Sequence, residues 1–363
     1  MLFYIILLIM CIYAAMVVIG TVHWVKLPEE SPTANAAILP VALVVCCRNE
    51  AQHLPQLLQS VCNQTRSFAQ IVLIDDHSTD ETPVLMQQFA TTHDSAVCVM
   101  QATEYGKKRA LREAIASVTT DIVLCTDGDC VLPPDLVLLV GAHFAQHRDC
   151  ALLVGGVRMY PATSFFQHLQ AVEFGSLVAA GAAAVAAGYP VLCNGANLAF
   201  RRTLWHQAQT YLHDEEPSGD DIFLLQYTKR VHARIDTLKS PDGFVDTIPT
   251  TNIRAFMNQR CRWASKSRSY TDSFTIFTAC MVLGIALLLA VLTIGAFFST
   301  ICAWNLCFLF VSKLLIDSIL LITFFRFSRQ SALCRYIVPA AVLYPFYIVA
   351  AAIGGLFHWF GWK

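Results

Sequence analysis

The sequence predicts an α/β domain with a mostly parallel sheet, joined to an α-helical membrane region. Its 363 residues are 56% hydrophobic and 14% charged, with a mean hydropathy of +0.52, which is too apolar for an ordinary soluble enzyme. Long apolar runs lie near both ends of the chain, and between them short apolar segments alternate with amphipathic ones. The alternation predicts strands joined by helices, and the long runs predict membrane spans.

Residues 1–26 are predicted to form an N-terminal membrane anchor. The run from Phe3 to Val25 is almost entirely apolar and about as long as a helix that crosses a bilayer. It has no positively charged segment before it and no small-residue cleavage site, so an uncleaved anchor fits better than a signal peptide.

Residues 40–250 are predicted to form the α/β domain. Four short apolar runs are typical of strands covered on both faces. They are Val41–Cys46, Ile71–Ile74, Ala96–Met100 and Ile122–Cys125. Helical patterns lie between them, at Ala51–Val61, Asp80–Ala90 and Lys107–Ser117. We expect a doubly wound sheet, whose ligands bind at the carboxyl ends of its strands.

Two carboxylates, Asp127 and Asp129, follow the last of these strands with Gly128 between them. Residues i and i+2 point to the same side of an extended chain, and glycine lets the backbone approach a ligand. Such a pair can hold a hard divalent cation beside a phosphate. A lone motif of this kind is more often an acidic turn, so its function depends on what accompanies it.

Other polar residues follow the neighbouring strands. Arg48 and Glu50 come after the first strand, and Asp75 and Asp76 after the second. Lys107 opens a helix, where backbone amides and a basic side chain favour phosphate. Each group also has a simple structural interpretation, as helix caps, charged neighbours or a solvated basic turn.

Four motifs in this order resemble the inverting glycosyltransferase family 2. They are Asp75-Asp76, Asp127-x-Asp129, Gly219-Asp220-Asp221 and Gln259-x-x-Arg262-Trp263. The resemblance covers roughly residues 40–270 and implies the GT-A fold, which is Rossmann-like. The QxxRW form of the last motif is similar to that of ceramide glucosyltransferase and of cellulose, hyaluronan and poly-N-acetylglucosamine synthases. Asn194–Arg201 resembles the acceptor-side segment of the family.

The resemblance implies a role for each motif. A nucleotide-sugar donor, expected to be UDP-linked, would contact Arg48, Glu50, Asp75, Asp76, Lys107, Asp127, Gln259, Arg262 and Trp263. Mg²⁺ or Mn²⁺ would bind Asp127 and Asp129, with Asp129 the closer ligand. The acceptor would lie near Asn194, Gly195, Asn197 and Trp263.

An inverting transfer also needs a base that takes the proton of the acceptor hydroxyl. Asp221 aligns best with the base of the family, and Asp220 is the alternative because the register is uncertain by one residue. This chain has Asp at position 220 where the family more often has Glu. The segment Ser218-Gly219-Asp220-Asp221 could also simply cap the helix predicted from Ile222 to Lys229.

The C-terminal part is predicted to be membrane. Residues 251–272 form a basic interfacial helix that carries the QxxRW motif, and residues 273–363 contain three spans. These are Phe274–Phe298, Cys302–Phe325 and Tyr336–Phe357. The loop with Arg326, Arg329 and Arg335 is assigned to the cytosol by its positive charge, which also places the α/β domain there.

Three further features complete the sequence interpretation. The stretch Ala171–Ala187 is rich in small residues and contains Glu173, so we expect a buried or membrane-skimming helix. Lys313 and Asp317 lie four residues apart within one span and are expected to form a structural pair. The functional alternative is that they line a site for a lipid or sugar headgroup. The 14 cysteines lack zinc spacing and are interpreted as reduced packing residues.

The topology favours a membrane lipid as acceptor. Synthases that secrete a polymer use more helices than the three that follow the α/β domain here. We therefore expect a single transfer at a bacterial inner membrane, with the catalytic domain in the cytosol. A processive exopolysaccharide synthase is the alternative, and a non-catalytic membrane scaffold is more remote. With a net charge of −1, a nucleic-acid partner is not expected.

Overall fold

The computed structural model describes residues 1–31, 36–93, 96–213, 216, 219–357 and 359. Its contacts separate two compact units. The helical unit consists of Met1–Leu27, Pro161–Val191 and Pro249–Lys363, and the α/β unit consists of Pro28–Tyr160 and Leu192–Ile248.

The α/β unit contains nine strands and six helices among its described residues. The strands are β1 (Val41–Cys47), β2 (Gln70–Asp75), β3 (Val97–Gln101), β4 (Ile122–Asp127), β5 (Cys150–Val154), β6 (Val157–Met159), β7 (Leu198–Arg201), β8 (Arg234–Thr237) and β9 (Val245–Thr247). The helices are α2 (Leu54–Cys62), α3 (Thr82–Thr92), α4 (Lys107–Ala116), α5 (Leu136–Gln146), α7 (Arg202–Ala208) and α8 (Asp220–Arg230).

Seven of these strands form one sheet, in the order β3-β2-β1-β4-β7-β5-β8. The pairs among β3, β2, β1 and β4 are parallel, as is the pair β5 and β8, whereas β7 is antiparallel to both of its neighbours. β6 and β9 make a separate parallel pair. The prediction of a mostly parallel α/β sheet is confirmed.

The core of this sheet is β1, whose residues Val41 to Val45 are at most 1% exposed. Continuous apolar sequence is required there because helices cover both faces of a parallel sheet. Each of the four predicted strands is present, with ends that differ by one or two residues. The polar residues that follow the apolar runs therefore lie at strand ends, as the sequence predicted.

The helical unit contains α1 (Leu2–Lys26), α6 (Phe165–Ala186), α9 (Ile253–Ser265), α10 (Ser273–Gly295), α11 (Thr300–Phe327) and α12 (Ile337–Leu356). Five helical segments of the described chain are long and apolar enough to cross a membrane. Four of them match the predicted anchor and the three predicted C-terminal spans, and the fifth is α6.

Helix α6 is longer than the sequence suggested, since it begins at Phe165 rather than near Ala171. Ser164 explains the start, because its side chain accepts from the backbone N–H of Gln167 in a capping box. Residues on both sides of α6 belong to one sheet, in which β4 pairs with β7 and β5 with β8. A single crossing by α6 would put these strands on opposite sides of a bilayer, so the shared sheet excludes it.

The two compact units and the predicted domain ranges do not group all residues in the same way. Residues 161–191 fall inside the predicted range 40–250, yet they cluster with the helices. The buried ion pair between Glu173 of α6 and Arg260 of α9 gives a physical reason, because two charges removed from water must remain together.

A buried charge cluster holds the start of the α/β unit in place. The ring of His143, on α5, is 3% exposed and donates from Nδ1 to Glu30 at 2.9 Å and from Nε2 to Asp236 at 3.0 Å. Burial alone would lower the pKa of His143, but its bonds to Asp236, Cys150 and Glu30 raise that pKa to about 11. Burial would raise the pKa of Asp236, but His143 and Arg234 lower it to about 2.

We expect this cluster to make stability depend on pH. The raised pKa of His143 stabilises the fold fully below pH 6.5, and this contribution declines as the pH rises towards 11. The lowered pKa of Asp236 stabilises above about pH 3.8 and is lost as the pH falls towards 2. Urea unfolding at pH 6 and pH 9 should therefore show a larger loss of stability in the wild type than in His143→Gln. The exposed His206→Gln variant is the control, and an equal pH dependence in His143→Gln would contradict the assignment.

Candidate active site

The register of three strands brings the predicted residues to one edge of the sheet. Cys47 at the end of β1 pairs with Asp75 at the end of β2, and Cys46 pairs with Asp127 at the end of β4. Because the three strands are parallel, their carboxyl ends meet at this edge. The loops that carry Arg48, Asp76 and Asp129 all begin here.

Asp75 and Asp76 are nearly completely buried, at 2% and 4% exposure. Oδ2 of Asp75 accepts from the backbone N–H of Ser78 at 3.1 Å, and Oδ1 of Asp76 accepts from that of Gly106 at 2.8 Å. The other oxygen of Asp75, Oδ1, is buried and has no hydrogen-bond partner among the described residues. Buried acceptors are normally paired, so this oxygen is a candidate for a ligand contact.

Arg48 and Tyr105 form the second part of this edge. The guanidinium carbon of Arg48 lies 4.2 Å from the ring centre of Tyr105, and the exposed ring is 6.0 Å from that of His77. Nε of Arg48 is buried without a hydrogen-bond partner in the described part of the chain. The sequence predicted Arg48 but not Tyr105, whose signal would have been an aromatic residue directly before Gly106-Lys107.

Lys107 is the first residue of α4, and its ammonium donates to Oδ1 of Asp127 at 2.6 Å. Gly106 precedes it with φ of +121°, a conformation that residues with a Cβ rarely adopt. Burial alone would lower the pKa of Lys107, but the Asp127 and Asp220 carboxylates hold it well above its ordinary value. Lys107 therefore stays charged at neutral pH and is held where the two predicted acidic motifs meet.

Gly128 allows the acidic turn to pack closely against the end of β1. A Cβ at this position would lie 3.0 Å from Sγ of Cys47 and 3.0 Å from Cγ of Glu50, which is closer than side chains normally approach. This packing fixes the turn between Asp127 and Asp129, both of which are half-buried. Two carboxylates on such a turn fit the oxygen ligands that Mg²⁺ and Mn²⁺ prefer.

Asp246, which the sequence did not predict to lie near the site, supports the chain that follows the acidic turn. The backbone of Val131 pairs with that of Asp246 through bonds of 2.8 and 3.0 Å. The side chain of Asp246 forms an ion pair with Arg158 on β6. Asp246 is 117 positions from Asp129 in a part of the sequence without a motif, so its place beside the turn depends on tertiary pairing.

The predicted acceptor-side segment lies against the same turn. Thr126, just before Asp127, donates from Oγ1 to the carbonyl of Ala196 at 2.8 Å. Asn194 caps a short 3-10 helix over Gly195–Asn197 by accepting from the N–H of Ala196. Asn197 is 1% exposed, and its amide nitrogen donates to the carbonyls of Gly156 and Gly243. Asn197 thus braces the segment from inside, and contact with an acceptor stays a prediction for it.

Asp220 and Asp221 occupy the first turn of α8, where a helix favours negative charge. Oδ2 of Asp221 accepts from the backbone N–H of Gly195 at 3.3 Å, and Oδ1 accepts from that of Ile222 at 2.7 Å. A Cβ on Gly195 would lie 3.5 Å from Oδ2 of Asp220. Both candidate bases therefore lie beside the predicted acceptor segment. The N-cap of α8 is Gly219, which has no side chain, and the predicted cap residue Ser218 lies outside the described residues.

Residues 42–205 match the model of Glycosyl transferase family 2. The match covers 164 of the 363 residues, a little under half of the chain. The matched range contains the strand ends with Asp75, Asp76, Asp127 and Asp129, together with Lys107 and the segment that starts at Asn194. Asp220 and Asp221 follow the matched range within the same α/β unit.

The names of two curated relatives describe synthases of different products. The chain is similar to a poly-beta-1,6-N-acetyl-D-glucosamine synthase of Staphylococcus epidermidis, with 22% identity over 44% of this chain and 40% of the relative. It is also similar to a beta-monoglucosyldiacylglycerol synthase of Synechocystis sp., with 30% identity over 40% of this chain and 33% of the relative. The match thus spans well under half the length of either relative.

A solved structure resembles nearly the whole chain. A mannosyltransferase from Pyrobaculum calidifontis, solved in complex with GDP-Man and Mn²⁺, has a TM-score of 0.61 and 20% sequence identity, with 95% of this chain and 99% of that chain covered. At this identity the likeness shows the fold, which is GT-A-like and agrees with the predicted class.

The QxxRW residues lie in the helical unit, on α9. Oε1 of Gln259 accepts from Arg260 at 2.6 Å, and the carbonyl of Arg262 accepts from Ser265 at 2.9 Å. The ring of Trp263 is 6.1 Å from that of Phe174 on α6. The α/β unit assembles the other predicted residues by itself, and donor or acceptor roles for these three stay predictions.

We expect Asp129 to contribute more to metal affinity than Asp127, because the Lys107 ammonium already compensates the charge of Asp127. Titration with Mn²⁺, followed by electron paramagnetic resonance, should show a loss of affinity on the order of tenfold in Asp129→Asn and a smaller loss in Asp127→Asn. Asp121→Asn, at the other end of the same strand region, is the matched control. Equal affinities in all three variants would show that the turn does not bind the metal.

Proposed function

We propose that this protein is an inverting glycosyltransferase that moves a sugar from a nucleotide-sugar to a lipid in the membrane. The observation that carries the proposal is the assembly at one sheet edge of a charged lysine, a DxD turn and two candidate bases. Lys107 lies 2.6 Å from Asp127, and the carboxylate of Asp220 also acts on its charge. Lys107 and the DxD turn lie within the range that matches the Glycosyl transferase family 2 model, and the two candidate bases follow that range.

The nucleoside would bind where the α/β unit leaves buried polar atoms without partners. Oδ1 of Asp75 can accept a hydrogen bond, and Nε of Arg48 can donate one. Tyr105 next to Arg48 offers a flat surface on which a base can stack. Asp76 would support this site indirectly, because its carboxylate already holds the N–H of Gly106.

The diphosphate would bind between the start of α4 and the DxD turn. Backbone amides at a helix N-terminus and the Lys107 ammonium both attract phosphate. Asp127 and Asp129 would hold Mg²⁺ or Mn²⁺, which would neutralise the charge that develops on the leaving diphosphate. Lys107 would then exchange its contact with Asp127 for a contact with phosphate.

The chemical step would be a single displacement. A carboxylate at the start of α8 takes the proton of the acceptor hydroxyl while that oxygen bonds to the anomeric carbon, and the nucleoside diphosphate leaves from the opposite face. Asp221 is favoured because Gly195 of the acceptor-side segment binds its Oδ2 directly. Asp220, at 8% exposure, remains the alternative.

A membrane acceptor is supported by the helical unit, whose helices have the length and composition of membrane spans. The glycolipid synthase relative supports a lipid acceptor, and the poly-N-acetylglucosamine synthase relative supports the alternative of a processive synthase. We propose the inner membrane of a bacterium as the location, with the α/β unit in the cytosol. The proposed donor is a UDP-sugar, and GDP-Man is tested beside it because the similar mannosyltransferase was solved with GDP-Man.

We expect Asp221→Asn to abolish transfer while nucleotide binding is retained. An amide cannot accept the proton of the acceptor, so kcat should fall by about 10²-fold or more. Binding of UDP or GDP in the presence of Mn²⁺ should stay within about twofold of the wild type, because the nucleotide would contact other residues. Asp220→Asn tested in parallel decides between the two carboxylates: a larger loss in that variant would reassign the base.

The acceptor class is tested by the fate of a radiolabelled sugar. Detergent-purified protein with Mn²⁺ and total membrane lipid is incubated with each donor, and the product is divided between organic solvent and a high-molecular-weight fraction. Label in the organic phase is the expected result, and label in a polymer would replace the lipid acceptor with processive synthesis. If wild-type protein binds none of the nucleotides, the scaffold interpretation is favoured.

A further inference from the structure

We propose that Glu173 on α6 and Arg260 on α9 are positioning residues, which hold the side chains of the QxxRW segment in the orientation needed for sugar transfer. The proposal rests on the proposed glycosyltransferase function and assigns a role to Arg260, which fills an unspecified position of the motif. Nε of Arg260 donates to Oε1 of Glu173 at 3.0 Å, and its NH2 group donates to Oε2. The pair is therefore bidentate, the arrangement that fixes orientation as well as distance.

The pair is buried within the helical unit. The side chains of Arg260 and Glu173 are 4% and 6% exposed. A buried charge is costly unless it is paired and bonded, so neither residue can turn away without leaving the other uncompensated. A nearby contact fixes the same two segments, since Gln170 of α6 bonds both the N–H and the carbonyl of Thr250, just before α9.

Arg260 also contacts the motif residues on both sides of it. Its NH1 group donates to Oε1 of Gln259 at 2.6 Å. Its guanidinium carbon lies 4.2 Å from the ring centre of Trp263 and 4.6 Å from that of Phe256. One side chain therefore sets both the amide of Gln259 and the ring plane of Trp263.

The next position of the motif, Cys261, packs against a different helix, α12. A Cβ on Gly354 of α12 would lie 2.5 Å from Sγ of Cys261, and one on Gly355 would lie 2.8 Å from the carbonyl of Cys261. Helices approach this closely only through small residues. The residues at the two x positions of QxxRW, 260 and 261, thus pack α9 against α6 and α12. The orientation of the three named motif residues depends on this packing.

A positioning role and a purely structural role predict different behaviour when both charges are removed. Glu173→Gln and Arg260→Gln each leave one buried group unpaired, so both variants should lose stability. The double variant has no buried charge and should regain a thermal midpoint close to that of the wild type. If the pair positions the motif, the double variant still lacks the guanidinium that orients Gln259 and Trp263.

The experiment measures thermal midpoint, transfer kinetics and tryptophan emission in the full-length protein in detergent. We expect the double variant to be stable but at least tenfold lower in kcat/KM for transfer. The emission of Trp263, isolated by subtraction of the matching Trp263→Phe protein, should shift relative to the wild type. Arg260→Lys should keep the charge pair and stability yet not restore transfer, because an ammonium cannot bond Glu173 and Gln259 in the same plane. Arg254→Gln, exposed on the same helix, is the control with unchanged values.

Wild-type kinetics and an unchanged Trp263 emission in the stable double variant would overturn the proposal, as would full activity in Arg260→Lys. Failure of the proposed function has a different signature, because the wild type itself would then transfer no sugar from any donor. The emission measurement decides the positioning role even in that case, since it requires no turnover.

Discussion

The register of β1 with β2 and β4 is the constraint on which the candidate site depends. Because these strands are parallel and in step, Asp75 and Asp127 end beside Cys47 and Cys46 on either side of the central strand. A shift of one strand by a single residue would turn its side chains to the other face and separate the carboxylates. The buried apolar residues of β1 therefore determine the geometry of the chemistry at its end.

Charged side chains are paired in different ways in the two units. In the α/β unit, the Lys107 side chain is 31% exposed and its charge is stabilised by two carboxylates, Asp127 and Asp220. In the helical unit, Arg260 forms a buried ion pair with Glu173. Lys313 on α11 donates hydrogen bonds to Asp317 and to Tyr13. The former arrangement suits exchange with a diphosphate, whereas the latter ones suit fixed packing.

The sequence was most informative where local pattern and topology agree. Alternating apolar runs predicted the strands, and the polar residues at their ends predicted the edge that contains Asp76, Asp127 and Lys107. Contacts between distant segments were not predictable in this way. Tyr105 beside Arg48, Asp246 beside the acidic turn and Arg260 against Glu173 all depend on tertiary packing that no local period encodes. The start of α6 was missed because an N-terminal capping box precedes its small-residue stretch.

The position of α6 in the chain also constrains how the protein is made. β7 lies between β4 and β5 in the sheet but is synthesised after α6, so the ribosome delivers this apolar helix before the sheet can close. Both groups of strands must remain on the same side of a bilayer for this sheet to form, so α6 cannot end as a single membrane crossing. Its alanines, glycines and Glu173 make it the least apolar of the five long helices. The ion pair with Arg260 can form only after α9 has been synthesised, so α6 reaches its final contacts after the strands on both sides of it are complete.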